Sequence, residues 1–228
     1  MAYTNSSMVA YTKLSPNHSG QRTHSIDRIT PHCMVGQMTA KACGGLFARS
    51  SYQASSNYGI GKDGEIALYV DEGKRSWCSS SESNDQRAVT IECASDTHSP
   101  YTMNSRVYES LVRLCVDICR RNGKAKLIWF GDKNKTLGYS PKSDEMVLTV
   151  HRWFAQKSCP GDWLYSRLGK LAKEVTAQLS GTAQEPADKP AGGKLYKVQC
   201  GAFSTEENAQ KRVNALKAAG FDAVIQEV

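Results

Sequence analysis

Residues 181–193, GTAQEPADKPAGG, carry Gly, Pro, Ala and charge but no large apolar side chain, so no hydrophobic core can pass through them. This stretch is predicted to be a linker. It divides the 228-residue chain into a body at residues 1–180 and a tail at residues 194–228. The body is long enough for one ordinary core, since single cores run to roughly 100–200 residues, and the tail is too short for an independent one.

With 40% hydrophobic and 22% charged residues, the composition is that of a water-soluble globular chain, and no run approaches the ~20 apolar residues of a membrane span. Membrane insertion is therefore not expected. The formal net charge of +7 favours an anionic partner such as nucleic acid, anionic lipid or anionic cell wall. Lys and Arg are scattered and few aromatics interleave them, which argues against a nucleic-acid groove. The first twenty residues have no basic segment followed by an apolar one, so a Sec-type signal is absent from the sequence and the protein is expected to be made in the cytoplasm. Its eight cysteines are then expected as reduced thiols, mostly in the core. Cys115 and Cys119, four apart, fall on one face of a predicted helix.

Three short apolar runs, Ile66–Val70, Ala88–Cys93 and Lys126–Phe130, read as buried strands. Helical spacing marks residues 103–121, where Val107, Leu111, Leu114, Cys115 and Ile118 form one stripe and Gly123 sits past the end. A second helix is predicted from Asp162 to Leu179, stopped by Gly181, and a shorter one from Thr39 to Ala48. Strands alternating with helices indicate an α/β body with its sheet covered by helices.

The chemistry concentrates in VLTVHRWFAQKSCPGDW, residues 147–163. A strand-like run delivers His151, and a loop then presents Lys157 and Cys159 before Pro160-Gly161 turns the chain. Imidazole and thiolate both ligate zinc, and a catalytic zinc needs three protein ligands with a fourth position open. His32, in DRITPHCMVG, can supply the third. Taken singly each is weak, because isolated His and Cys residues more often pack or hydrogen-bond. Cys159 with His151 also fits a thiol nucleophile and its base, which would leave the His32 motif unexplained.

The segments IDRITPHCMVG, SSNYGIGKDGEI, AVTIECAS and HRWFAQKSCPGDWL occur in the order and at the approximate spacing of the zinc N-acetylmuramoyl-L-alanine amidases of the peptidoglycan-recognition-protein fold, and residues 22–180 resemble that family, most closely its phage and prophage endolysins. The resemblance implies a central mixed β-sheet flanked by helices. It implies Zn2+ held by His32, His151 and Cys159, with Glu92 as general base and Lys157 stabilising the oxyanion. Asn57 and Trp77 match positions that line the substrate groove. Some short relatives carry a catalytic Tyr before a His-Phe pair; Ser56 stands at that Tyr here and Tyr58 at the Phe, so the resemblance assigns no catalytic tyrosine. The implied reaction is hydrolysis of the amide between N-acetylmuramic acid and L-alanine in bacterial peptidoglycan, by an endolysin or autolysin acting on the wall after release, through a holin or lysis if phage-encoded. The rival is a non-catalytic peptidoglycan-binding protein of the same fold; such binders typically lose the Cys ligand, which this sequence keeps at Cys159.

In the tail, residues 195–226 read as strand, helix and strand, with a capping box at Ser204 and Glu207 and an apolar stripe at Ala209, Val213 and Leu216. The VQxGAFS and AAGFDA elements resemble the sporulation-related (SPOR) repeat, which implies binding of glycan strands stripped of their peptides. Only one βαβ half is legible, so the tail is expected to self-associate or to dock on the body.

Overall fold

The computed structural model describes residues 3–181, 201–218 and 225. The chain divides into two compact units, Met1–Ala183 and Gln184–Val228. In the first unit the strands are β1 (Tyr11–Thr12), β2 (His18–Gln21), β3 (Arg28–Cys33), β4 (Tyr58–Ile60), β5 (Ile66–Leu68), β6 (Lys74–Ser76), β7 (Ala88–Cys93), β8 (Lys126–Ile128) and β9 (Glu145–Leu148). Its helices are α1 (Ala40–Phe47), α2 (Glu82–Asp85), α3 (Ser105–Arg121), α4 (Lys133–Leu137), α5 (Asp162–Tyr165) and α6 (Leu168–Leu179).

Seven strands form one mixed sheet in the order β1-β5-β4-β7-β3-β9-β8, in which only β4 and β5 pair antiparallel. A separate antiparallel ribbon joins β2 to β6. The central strands β3 and β7 have both faces covered, which explains their nearly unbroken burial. Alternation along them sends Ile29 and Cys33 of β3, and Val89, Ile91 and Cys93 of β7, into the main core. That core is closed by α3 and α6, through Val107, Leu111, Leu114 and Ile118 on one and Leu171 and Val175 on the other. Each such side chain contributes about 1.5–3 kcal/mol by leaving water. On the other face α1 lays Ala40, Cys43 and Phe47 against Ala67 and Tyr69.

The intervening residues of β3 and β7 face away from the main core and form a buried polar ladder. Thr30 bonds Thr149 and Asn84, while Thr90 bonds Ser76 and Asn57. One step further along, His32 and Glu92 are register partners. The central strands β3 and β7 therefore carry apolar packing on one face and, on the other, deliver two ionisable side chains together at their C-terminal ends.

The fold is the expected α/β class, a central mixed sheet flanked by helices. Helix α3 begins at an Asn104 cap and is followed by Gly123 at φ +66°. Thr39 caps α1. The helix expected over 162–179 is two helices, because the chain turns at Ser166 and Arg167 between α5 and α6; Leu164 and Leu168 stay fully buried on either side. In the second unit α7 (Glu206–Ala218) is present, and Val213 is its buried residue. Its cap is Thr205, whose Oγ1 accepts from Asn208 N, and not the expected Ser204. The tail strands, and the linker beyond Gly181, lie outside the described residues.

Candidate metal centre

His32, near the end of β3, is 1% exposed and continues the polar ladder of that strand. Its Nδ1 is 3.2 Å from Cys159 Sγ and 3.9 Å from Glu92 Oε1. His151 opens a 3-10 turn (His151–Trp153) three residues beyond the end of β9, and its ring centroid is 5.1 Å from that of His32. Cys159 is held by its backbone, whose carbonyl accepts from Arg152 N at 3.1 Å. One donor atom from each of His32, His151 and Cys159 lies within 4.8 Å of the others. A tetrahedral zinc with N and S ligands sets its donors about 3.3–3.8 Å apart, so this set fits such an ion with only small adjustments.

The electrostatics suit a cation. Burial, and then His151, push the His32 imidazolium well down, and burial followed by Lys157 lowers His151, so both rings are neutral donors. A hydrogen bond with Cys33 and burial push the Cys159 thiol up, so in the metal-free protein it keeps its proton; a soft cation replaces that proton on binding. Burial raises Glu92 to about 7, against a weak lowering by the Cys78 thiol, which lies 3.9 Å from its Oε1. His32 Nε2 and Glu92 Oε2 are buried without a hydrogen-bond partner among the described residues. The His32 nitrogen that faces Cys159 and Glu92 is Nδ1, so of these two atoms it is the unpartnered Glu92 oxygen, costly to leave in a dry pocket, that marks a place where another group belongs.

The other expected residues divide. Lys157 is exposed on the loop between His151 and Cys159, without an ion-pair partner among the described residues, and its charge reaches His151. Trp77, half-buried at the end of β6, donates from Nε1 to Ser19 Oγ at 2.6 Å and from its backbone to Ser55 Oγ. Asn57 does not line a groove. It is fully buried, its Nδ2 donates to the carbonyls of Val70, Asp71 and Lys74, and its Oδ1 accepts from Arg22 Nη2 and Thr90 N. No atom of its amide is left for a substrate, and Asn57 instead ties the β5–β6 connection to β7. Tyr58 is likewise buried, its hydroxyl donating to Glu72 Oε1 and accepting from Ser6 N.

Two residues beside the centre had no sequence signal: Cys78, which forms a second donor group with His32 and Glu92, and Ser80, whose Oγ lies 3.0 Å from His151 Nε2. Both lie in SWCSSS, a serine-rich run without periodicity.

The N-acetylmuramoyl-L-alanine amidase family, Amidase_2, matches residues 22–162, and the SPOR domain matches residues 169–227. The second match begins inside α6. Among solved structures the chain resembles a mutant of PlyL (12% identity, 73% of this chain and 98% of that chain covered, TM-score 0.52). It also resembles an AmpD derivative (19%, 75% and 99%, 0.51) and the Staphylococcus aureus hydrolase AmiA in complex with its ligand (12%, 78% and 94%, 0.50). At these identities the likeness is one of fold. No curated relative matches the chain.

Proposed function

The chain belongs to the N-acetylmuramoyl-L-alanine amidase family, and from that premise we propose that it is a zinc enzyme, with His32, His151 and Cys159 as ligands, Glu92 as general base and Lys157 as oxyanion partner. It is an N-acetylmuramoyl-L-alanine amidase with a C-terminal SPOR domain, and it binds and acts on peptidoglycan. The observation that carries the metal reading is the meeting of two neutral imidazoles and a thiol, drawn from three distant segments, within 4.8 Å.

Zinc in such a site supplies Lewis acidity towards an amide carbonyl and makes a water more acidic. Glu92 does the proton work. Its unpartnered Oε2 is the free acceptor for the proton of the attacking water, and a carboxyl whose pKa lies near 7 can return that proton to the departing L-alanine nitrogen. The Lys157 ammonium, on the loop that ends in Cys159, balances negative charge on the carbonyl oxygen. Trp77 lines the groove in this reading. A thiol-nucleophile mechanism would need Cys159 lowered, and its surroundings raise it.

The SPOR unit is proposed to hold the enzyme on stripped glycan strands, the product of its own reaction, which raises the local enzyme concentration on partly digested wall. Self-association of the tail and a role as endolysin or autolysin, released by a holin or lysis if phage-encoded, belong to the same reading. Among the described residues no helix is long and apolar enough to cross a membrane.

The test is digestion of purified wall alongside metal analysis. Free amino groups of L-alanine should accumulate without new reducing ends, activity should vanish with a strong chelator and return with zinc, and His32→Ala should lower the zinc content. New reducing ends, or an unchanged metal content in His32→Ala, would refute the proposal.

A further inference from the structure

We propose that Ser80 is a positioning residue that orients His151 for the metal, and that the loop carrying it is built for this purpose. The inference rests on the zinc reading above and deepens it.

The loop Trp77–Ser81 joins β6 to α2 and is held on both sides of Ser80. Before it, Cys78 N and Ser79 N both donate to Asp85 Oδ2 at 3.0 Å, and the Ser79 hydroxyl donates to Oδ1 of the same carboxylate. After it, Ser81 Oγ caps α2 by accepting from Asn84 N. Asp85 is itself buried, so the anchor does not wander. Between these ties Ser80 has φ +59°, the left-handed region that side chains other than Gly, Asn and Asp seldom enter. Glycine would take this conformation without strain. Serine bears the strain and in exchange places a hydroxyl 3.0 Å from His151 Nε2.

The direction of this hydrogen bond decides what His151 can offer. If Nε2–H donates to Ser80 Oγ, Nε2 is occupied and the lone pair of the neutral ring sits on Nδ1. His32 presents the same atom, Nδ1, towards Cys159. Both imidazoles then use equivalent nitrogens, and Ser80 fixes the tautomer and ring rotation of the more exposed of the two. Outer partners of this kind change metal affinity roughly 10–100-fold.

The decisive variant is Ser80→Gly in the full chain, because it removes the hydroxyl while relieving the backbone. Zinc affinity is measured by competition with a chromophoric chelator, thermal stability on the metal-free protein, and the His151 tautomer by long-range nitrogen–proton NMR. The expected result is a roughly 10–100-fold weaker zinc affinity, an unchanged or raised Tm, and a mixed tautomer where the wild type shows Nε2–H alone. Ser80→Ala should weaken zinc similarly. A merely structural role would lower Tm and leave affinity intact, which overturns the proposal. So does a wild type that binds one zinc with Ser80→Gly matching it in affinity and tautomer, or NMR placing the His151 metal bond at Nε2. A wild type that takes up no zinc overturns the metal reading itself, and this inference with it.

Discussion

Two buried polar clusters meet strand β7, one at Thr90 and one at Glu92, and they are built to opposite rules. Around Asn57 everything is paired: Arg22 donates to Asn57 Oδ1 and to the carbonyls of Glu72 and Asp85, while Glu72 accepts from Tyr58 and from Arg121. Around His32 the accounting stays open, with Glu92 Oε2 unpartnered among the described residues and the Cys159 thiol facing the Nδ1 side of an imidazole. Both clusters sit in the low-dielectric interior, where an unmade hydrogen bond costs about 1–3 kcal/mol. A closed network returns that cost as rigidity. An open one holds it in reserve for a ligand, and this contrast separates scaffold from reaction centre more sharply than residue type does.

Breaking the open cluster should hurt catalysis most. Cys159→Ala is expected to reduce amide hydrolysis roughly a thousandfold or more, since it removes a ligand to a Lewis acid worth several kcal/mol, while the Tm of the metal-free protein changes little; release of L-alanine amino groups together with calorimetry measures both. Breaking the closed cluster should do the reverse. Asn57→Ala strands Arg22 and three carbonyls and is expected to destabilise by about 3–4 kcal/mol, a fall in Tm of about 10 °C, seen by thermal denaturation.

Glu92→Gln sharpens the contrast further, because it should impair function and improve stability. Below pH about 4.5 the carboxyl is protonated in both the folded and unfolded states. Between that value and about 7 the unfolded chain releases the proton first, so metal-free wild type loses stability as pH rises and keeps the full penalty above 7. With the side chain 16% exposed and partly hydrated, Glu92→Gln should be about 2–3 kcal/mol more stable at pH 8 and equal to wild type near pH 4, as urea denaturation at the two pH values would reveal, with hydrolysis down roughly 100-fold or more. The smallest effect is expected for Tyr58→Phe, a loss of about 1–2 kcal/mol with turnover per folded molecule unchanged. A large drop in its kcat would erase the distinction between the two clusters.

The sequence was legible where burial imposes a period. Strand β7 and helix α3 follow directly from runs and stripes that end up fully buried, and Cys115 with Cys119 pack inside as expected. The break at Ser166–Arg167 was hidden because Leu164 and Leu168 keep helical spacing across it. Asn57 misled because a polar residue at a matched position carries no mark of whether its amide is already spent. The short strands β1, β2 and β6 are partly exposed and mostly polar, so no apolar alternation marks them in the sequence. Cys78 and Ser80 reach the centre through a loop whose course depends on Asp85, seven and five residues further on, and no local pattern encodes that anchorage.

The register of β3 against β7, with His32 directly across from Glu92, has an engineering consequence. The separation between ligand and proton acceptor is inherited from the lattice of the sheet, about 4.8 Å from strand to strand, so it is insulated from whatever happens at the rim. Rim segments other than the Ser80 loop and the turn bearing His151 and Cys159 are therefore the places to graft or shuffle when a different bacterial wall is the target, because the reactive pair would keep its spacing through every such exchange.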